Sequence, residues 1–173
     1  MTHGRQDNAA QDPGAARPAK GIGDELVEVH DLFRERMAAI REEIAAVTSG
    51  AASPDIAAMS DAVAGMSLKE HCLTMCEALH GHHTREDGGL FRAVETGAPH
   101  LAGAVARLRR EHVVVDESLH KIRALFDTVG LADPERLQRE LEQLFNSLEE
   151  HFQYEEQQVV GPLNSLTRGA PAH

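Results

Sequence analysis

Apolar residues recur at three- and four-residue intervals along most of this chain. Leu26, Val29, Phe33, Met37, Ile40, Ile44 and Val47 form one stripe, which predicts a helix from about Asp24 to Val47. TSGAASPD then breaks the pattern, and a weaker helical stretch over 56–63 fills the connection. Ser67-Leu-Lys-Glu70 reads as a capping box, because a Ser oxygen and a Glu three residues later can satisfy two orphan amides at a helix start. The second long helix is therefore expected from Ser67 to about Val94, with Gly97 and Pro99 marking its stop and the next start. Leu101, Val105, Leu108, Val115, Leu119, Ile122 and Phe126 predict a third helix from Pro99 to Val129, ended by Gly130. Asp133 is an N-cap with Pro134 at the first helical position. Leu137, Leu141, Leu144 and Leu148 carry the fourth helix to about Val160, where Gly161-Pro162 is the expected stop.

Four long amphipathic helices joined mostly by short loops predict an all-α fold, an antiparallel up-down four-helix bundle over residues 23–166. Residues 1–22 are rich in Gly, Ala, Pro and Gln without apolar period, so a disordered N-terminal tail is expected there. Residues 167–173 read as a second, shorter tail.

Composition agrees. The 173 residues suit one domain, 42% are hydrophobic, only 3% are aromatic, and there is no Trp. The formal net charge is −11 and no Lys/Arg stripe is visible, which argues against nucleic acid and against an anionic membrane surface as partners. No apolar run reaches the roughly 20 residues of a membrane span. The N-terminal stretch has no apolar core of the secretory kind, so a cytoplasmic location is expected. Cys72 and Cys76 stand one helical turn apart, a poor geometry for a mutual disulfide, and read as reduced packing residues. The expected association state is a monomer or weak homo-oligomer.

Eleven histidines change the picture. A His or Glu on the apolar stripe of a bundle must be paired, hydrogen-bonded or metal-bound. With residues placed at about 100° per step, Leu141, Leu144, Leu148, His151, Glu155 and Val159 form one continuous stripe. His82 and Glu86 share a face with Met75, Leu79 and Ala93. His112 lies in line with Val105, Leu108, Val115 and Leu119, with Asp116 about 40° to one side. His30 sits between Val29 and Phe33. Each helix thus offers one inward imidazole, and two add a carboxylate one turn later. Nitrogen donors with few carboxylates suit iron better than magnesium or calcium, and a carboxylate from each of two helices can bridge two ions. Asp116 is a candidate further ligand.

Other histidines read differently. His83 lies about 100° from His82, at the interface edge, beside the ligands rather than among them. His71 is eleven residues before His82, about 16 Å along the axis and too far for one site. Glu77/His80 and Glu117/His120 have the Glu-x-x-His spacing of ferritin-like di-iron bundles, but fall outside the apolar faces and are expected as surface pairs. Gly88-Gly89 allows a local bulge, a close approach, or a tolerated surface defect.

VHDLF at His30, HHTREDGGLF at His82 and Glu86, RREH at His112, and HFQYEE at His151 and Glu155 together resemble the hemerythrin-like family, the HHE cation-binding domain. The resemblance spans about residues 24–162. It implies a four-helix bundle around two iron ions in an oxo- or hydroxo-bridged centre, with His30, His82, Glu86, His112, His151 and Glu155 as ligands and both glutamates bridging. It also implies O2 or a related small molecule as ligand. The oxygen-carrying members have His-x-x-x-His on the third helix, whereas here His112 is followed by Asp116. They end with His-x-x-x-x-Asp, whereas here it is His151-x-x-x-Glu155. One imidazole fewer makes one iron more open, which favours binding and turnover of peroxide, O2 or NO over reversible carriage. Catalase-like peroxide turnover is the first expectation. A di-iron oxidase or oxygenase acting on an organic substrate is the second, and a non-enzymatic iron, O2 or NO sensor the third.

Overall fold

A computed structural model describes the backbone of residues 20–50, 54–128 and 133–168, and the side chains of these except 54–67 and 167–168. The order is α1 (Ile22–Thr48), α2 (Pro54–Arg85), a π-helical turn (Glu86–Leu90), α3 (Phe91–Gly97), a 3-10 turn (Pro99–Leu101), α4 (Ala102–Thr128) and α5 (Pro134–Arg168). No strand occurs among the described residues. Because α2 runs through the π turn into α3, the described residues make four long helical runs. Most of both expected tails, and Gly130, lie outside the described residues.

Local signals explain several boundaries. Asp133 caps α5, its Oδ1 accepting the Arg136 amide at 2.9 Å. Two expectations are corrected. Ser67 does not start the second helix: α2 begins at Pro54, so the weak 56–63 stretch belongs to the same helix. Gly161-Pro162 does not stop the last helix, which continues to Arg168. Burial of Leu163 and the bonds that Asn164 Oδ1 accepts from the Gly23 and Asp24 amides hold that last stretch against α1. Tertiary contact here outweighs the hydrogen bond a proline removes. The Gly88-Gly89 pair lies inside the π turn. A Cβ at either position would meet nothing within 4 Å, so no close approach requires the pair.

Polar partners fix how the helices face each other. Arg41 reaches Glu142 at 3.1 Å, Arg34 reaches Glu149 at 3.0 Å and His30 reaches Glu156 at 2.9 Å. Later residues of α1 thus meet earlier residues of α5. Near the α1 N-terminus the two helices are so close that a Cβ on Gly23 would lie 2.4 Å from the Val160 carbonyl oxygen.

The core has two apolar clusters. The larger includes Phe33, Met37 and Ile40 of α1, Leu79 of α2, Val115 and Leu119 of α4, and Leu148 and Phe152 of α5. The smaller joins Leu26, Phe91, Val94, Val105, Leu108, Val159 and Leu163. Each helical run passes through both, and near the crossing from one to the other each run buries polar side chains: His30; His82, His83 and Glu86; His112; His151 and Glu155. The core is therefore interrupted by one buried polar layer with apolar packing on both sides.

Candidate metal centre

The layer holds seven donors on four helical runs, each no more than 5% exposed. They form two groups. One ligand atom from each of His30, His82, Glu86 and Glu155 lies within 4.8 Å of all the others, and the same holds for His83, His112 and His151. His30 Nε2 and His82 Nε2 face each other at 3.2 Å in the first group. His112 Nε2 and His151 Nε2 do so at 3.1 Å in the second. The two glutamates lie between the groups. Glu86 Oε1 is 2.9 Å from His82 Nε2, and its Oε2 is 3.5 Å from His112 Nε2. Glu155 Oε2 is 3.4 Å from His30 Nε2 and 3.6 Å from His151 Nε2.

Outer carboxylates set the tautomers. His30 Nδ1 donates to Glu156 at 2.9 Å, His112 Nδ1 to Asp87 at 3.1 Å and His151 Nδ1 to Glu111 at 2.9 Å. With hydrogen on Nδ1, each Nε2 presents a lone pair to the layer, as metal-ligating histidines do. Each outer carboxylate is anchored by an arginine: Glu156 by Arg34 at 2.9 Å, Asp87 by Arg109 at 3.8 Å and Glu111 by Arg107 at 2.7 Å. Rings complete the packing, with Phe152 stacked on His30 at 4.1 Å between centroids and His83 stacked on His112 at 3.9 Å.

Charge makes the same case for a cation. Burial, and then the neighbouring His30, pushes His82 down to about 3. Burial and His151 do the same to His112, also to about 3, and burial and His112 lower His83. These imidazoles are neutral at pH 7, with lone pairs free to ligate. Burial, and then the Glu155 carboxylate, raises Glu86 well above the ordinary carboxylate range. Both oxygens of Glu86, both of Glu155 and the Nε2 of His83 are sealed from solvent without a hydrogen bond. Among the described residues the sole other such side-chain atom is Glu43 Oε2. Buried polar atoms nearly always find partners, so orphaned acceptors gathered in one layer fit a bound cation. Five nitrogens with two carboxylates suit iron better than an oxygen-seeking ion.

The model of the hemerythrin HHE cation binding domain matches residues 21–163. The chain belongs to this hemerythrin family. No curated protein and no solved structure matches it.

The structure brings together the six residues that the hemerythrin resemblance implies as ligands, and it places two others as follows. Asp116 does not join the layer: its Oδ1 accepts from His80 Nδ1 at 2.8 Å, and its Oδ2 lies 3.6 Å from His120 Nδ1. His83 joins His112 and His151 instead of standing beside them. The chain therefore keeps five inward imidazoles, with the fifth supplied by α2 and not by a second histidine on α4. The signal was the doublet His82-His83. Two neighbours about 100° apart cannot face one point, but they can face two donor groups. His80 and His120 are exposed, as expected of surface pairs, and His71 pairs with Glu43 at 2.6 Å away from the layer. No described helix is long and apolar enough to cross a membrane.

Proposed function

We propose that residues 23–166 form one antiparallel up-down four-helix bundle whose polar layer holds two iron ions, and that the protein binds O2, peroxide or NO there. His30 and His82 would hold one ion and His83, His112 and His151 the other, with Glu86 and Glu155 shared. One observation carries the reading: each buried glutamate lies between a histidine of one group and a histidine of the other. Such an iron pair, when bound, supplies redox chemistry and a binding place for the small molecule.

The chain's own residues supply the rest. Glu156, Asp87 and Glu111 keep the proton of three imidazoles on Nδ1. The two apolar clusters keep water from the layer. The pairing of the two groups is uneven, since the first has two imidazoles and the second three. The side with fewer nitrogen donors is the natural place for an exogenous ligand. Five imidazoles also match the count expected for oxygen-carrying relatives, so reversible binding stands beside catalase-like turnover. Two free buried cysteines, with Cys72 pushed up to about 12 and Cys76 to about 11 by burial, support a cytoplasmic setting.

The test is iron per chain together with the visible spectrum, followed by peroxide consumption. Near two irons per chain with the bands of a bridged ferric pair supports the reading, and peroxide turnover without another substrate supports the catalase-like form. Iron near zero after iron-supplemented expression overturns it.

A second reading, oxidation of an organic substrate, is favoured by a groove of about 400 Å³ that reaches His82 and Glu86 between walls formed by Ile22, Leu26, Val29 and Leu90. O2 consumption that depends on an added apolar substrate would select this reading over the first.

A further inference from the structure

The layer is approached from two sides that differ in character. The groove on the two-histidine side is mainly apolar, and besides the layer's own His82 and Glu86 it holds one acid, Glu25, and one base, Arg85. The other approach is a cleft of about 240 Å³ between α2 and α4. Asp87, Asp116 and Glu117 line it with no lysine or arginine among its lining residues, and His80 stands on its rim. His83 and His112 form part of its lining. His83 is 95% buried, and its Nε2 has no hydrogen-bond partner. The cleft thus leads from an acidic rim to an unsatisfied imidazole donor of the three-histidine group.

We propose that this cleft is the cation port of the protein, through which a divalent metal ion reaches the layer after transient capture by Asp116, Glu117 and His80. The proposal rests on the reading of the layer as a metal centre. Three physical points support it. Carboxylates lining a concave wall concentrate a cation and raise its arrival rate. The His80–Asp116–His120 chain places imidazole and carboxylate donors together at the rim, and they are too few and too exposed to retain the ion. Finally, of the five buried imidazoles, His82 and His83 alone have no carboxylate hydrogen-bonded to Nδ1 among the described residues. A ring so held is freer to turn toward an arriving ion, and His83 is the one that lines this cleft.

The experiment is uptake of cobalt(II) by the chelator-stripped full chain, in stopped flow at low ionic strength. Cobalt absorption reports nitrogen and oxygen coordination without a redox step. The wild type is expected to load fully. Asp116→Asn/Glu117→Gln should load to the same final stoichiometry and spectrum but roughly threefold or more slowly, and the difference should shrink in 0.5 M salt, where screening is short-ranged (on the order of a few Å). Glu25→Gln, in the other groove, should load at the wild-type rate. Equal rates in the double variant and the wild type would overturn the port. So would equal slowing in Glu25→Gln, or a changed final stoichiometry or spectrum in the double variant, which would make Asp116 or Glu117 a resident ligand. A wild type that takes up neither cobalt nor iron would overturn the metal-centre reading, and the port with it.

Discussion

The Nε2 atoms of His30 and His82 approach to 3.2 Å with no carboxylate oxygen hydrogen-bonded to either. His112 Nε2 and His151 Nε2, both left as acceptors because their Nδ1 atoms donate to Asp87 and Glu111, likewise approach to 3.1 Å, which is costly without a cation between them. Metal should therefore stabilise the folded chain directly. At a free metal concentration a hundredfold above Kd the gain is about 2.7 kcal/mol. Thermal unfolding of loaded and chelator-stripped protein measures it, and an unchanged Tm would contradict the convergence of these lone pairs.

His83 separates two pictures of the centre. As a ligand of the three-histidine group, its loss in His83→Ala should take iron from near two per chain toward one and alter the visible bands. As a neighbour alone, it would leave both unchanged. His151→Ala is the companion experiment, since His151 shares its group and touches Glu155 as well.

Glu156, Asp87 and Glu111 hold imidazoles without facing the layer. Glu156→Gln should weaken iron binding by about 10- to 100-fold, the usual cost of losing such a partner, while the helical content stays as it was. Competition with a chelator of known affinity reads this out. Arg34→Gln should produce a smaller effect, because it acts on His30 only through Glu156.

The stripped protein should be most stable near neutrality. His82 and His112 have folded values of about 3 against an unfolded value near 6.5. Between these limits the unfolded state binds more protons, so stability rises with pH, at up to about 1.4 kcal/mol per unit for each histidine. Glu86 is raised, so above about 4.5 the folded state holds a proton the unfolded state has lost, and this opposes the rise. With His83 lowered as well, three histidines outweigh one glutamate up to about pH 6.5; beyond it the glutamate's opposing slope remains and stability declines. Urea midpoints from pH 4 to 9 should trace this maximum, and metal should flatten its alkaline side.

Gly23 is where α1 and α5 come closest. An alanine there would set its Cβ 2.4 Å from a carbonyl oxygen and 2.9 Å from the Cα of Val160. Backbone cannot yield as a side-chain tip can, so Gly23→Ala should destabilise the protein by about 1–3 kcal/mol, measured by chemical denaturation.

Period and capping made much of this structure legible. The stripes of α1, α4 and α5 identify most buried residues correctly, with Val29, Val47 and Leu101 only half-buried, because each helix has one apolar face and a fixed period. They also single out His30, His112 and His151 as inward, since a polar residue in register with leucines has nowhere else to go. The failures have physical causes. Gly161-Pro162 is a local stop signal, but Leu163 and Asn164 gain enough against α1 to carry the helix past it. Ser67 carries the residues of a helix start, yet the chain is already helical from Pro54. A wheel with one target also cannot place His83, because the layer has two donor groups. Asp116 lies only slightly off the stripe, but its carboxylate finds His80 closer at hand.

The π turn at Glu86–Leu90 acts as a phase shifter. Counted along an uninterrupted α-helix, Phe91 would stand about 120° from Leu79. One extra residue in the turn reduces that offset to about 20°, so Phe91 and Val94 return to the inside, where both are fully buried. The donor-bearing stretch of the helix and the stretch that plugs the layer from below therefore keep separate angular settings. Substitutions can retune one without rotating the other, whereas removal of a single glycine would swing the plug outward and open the layer to water.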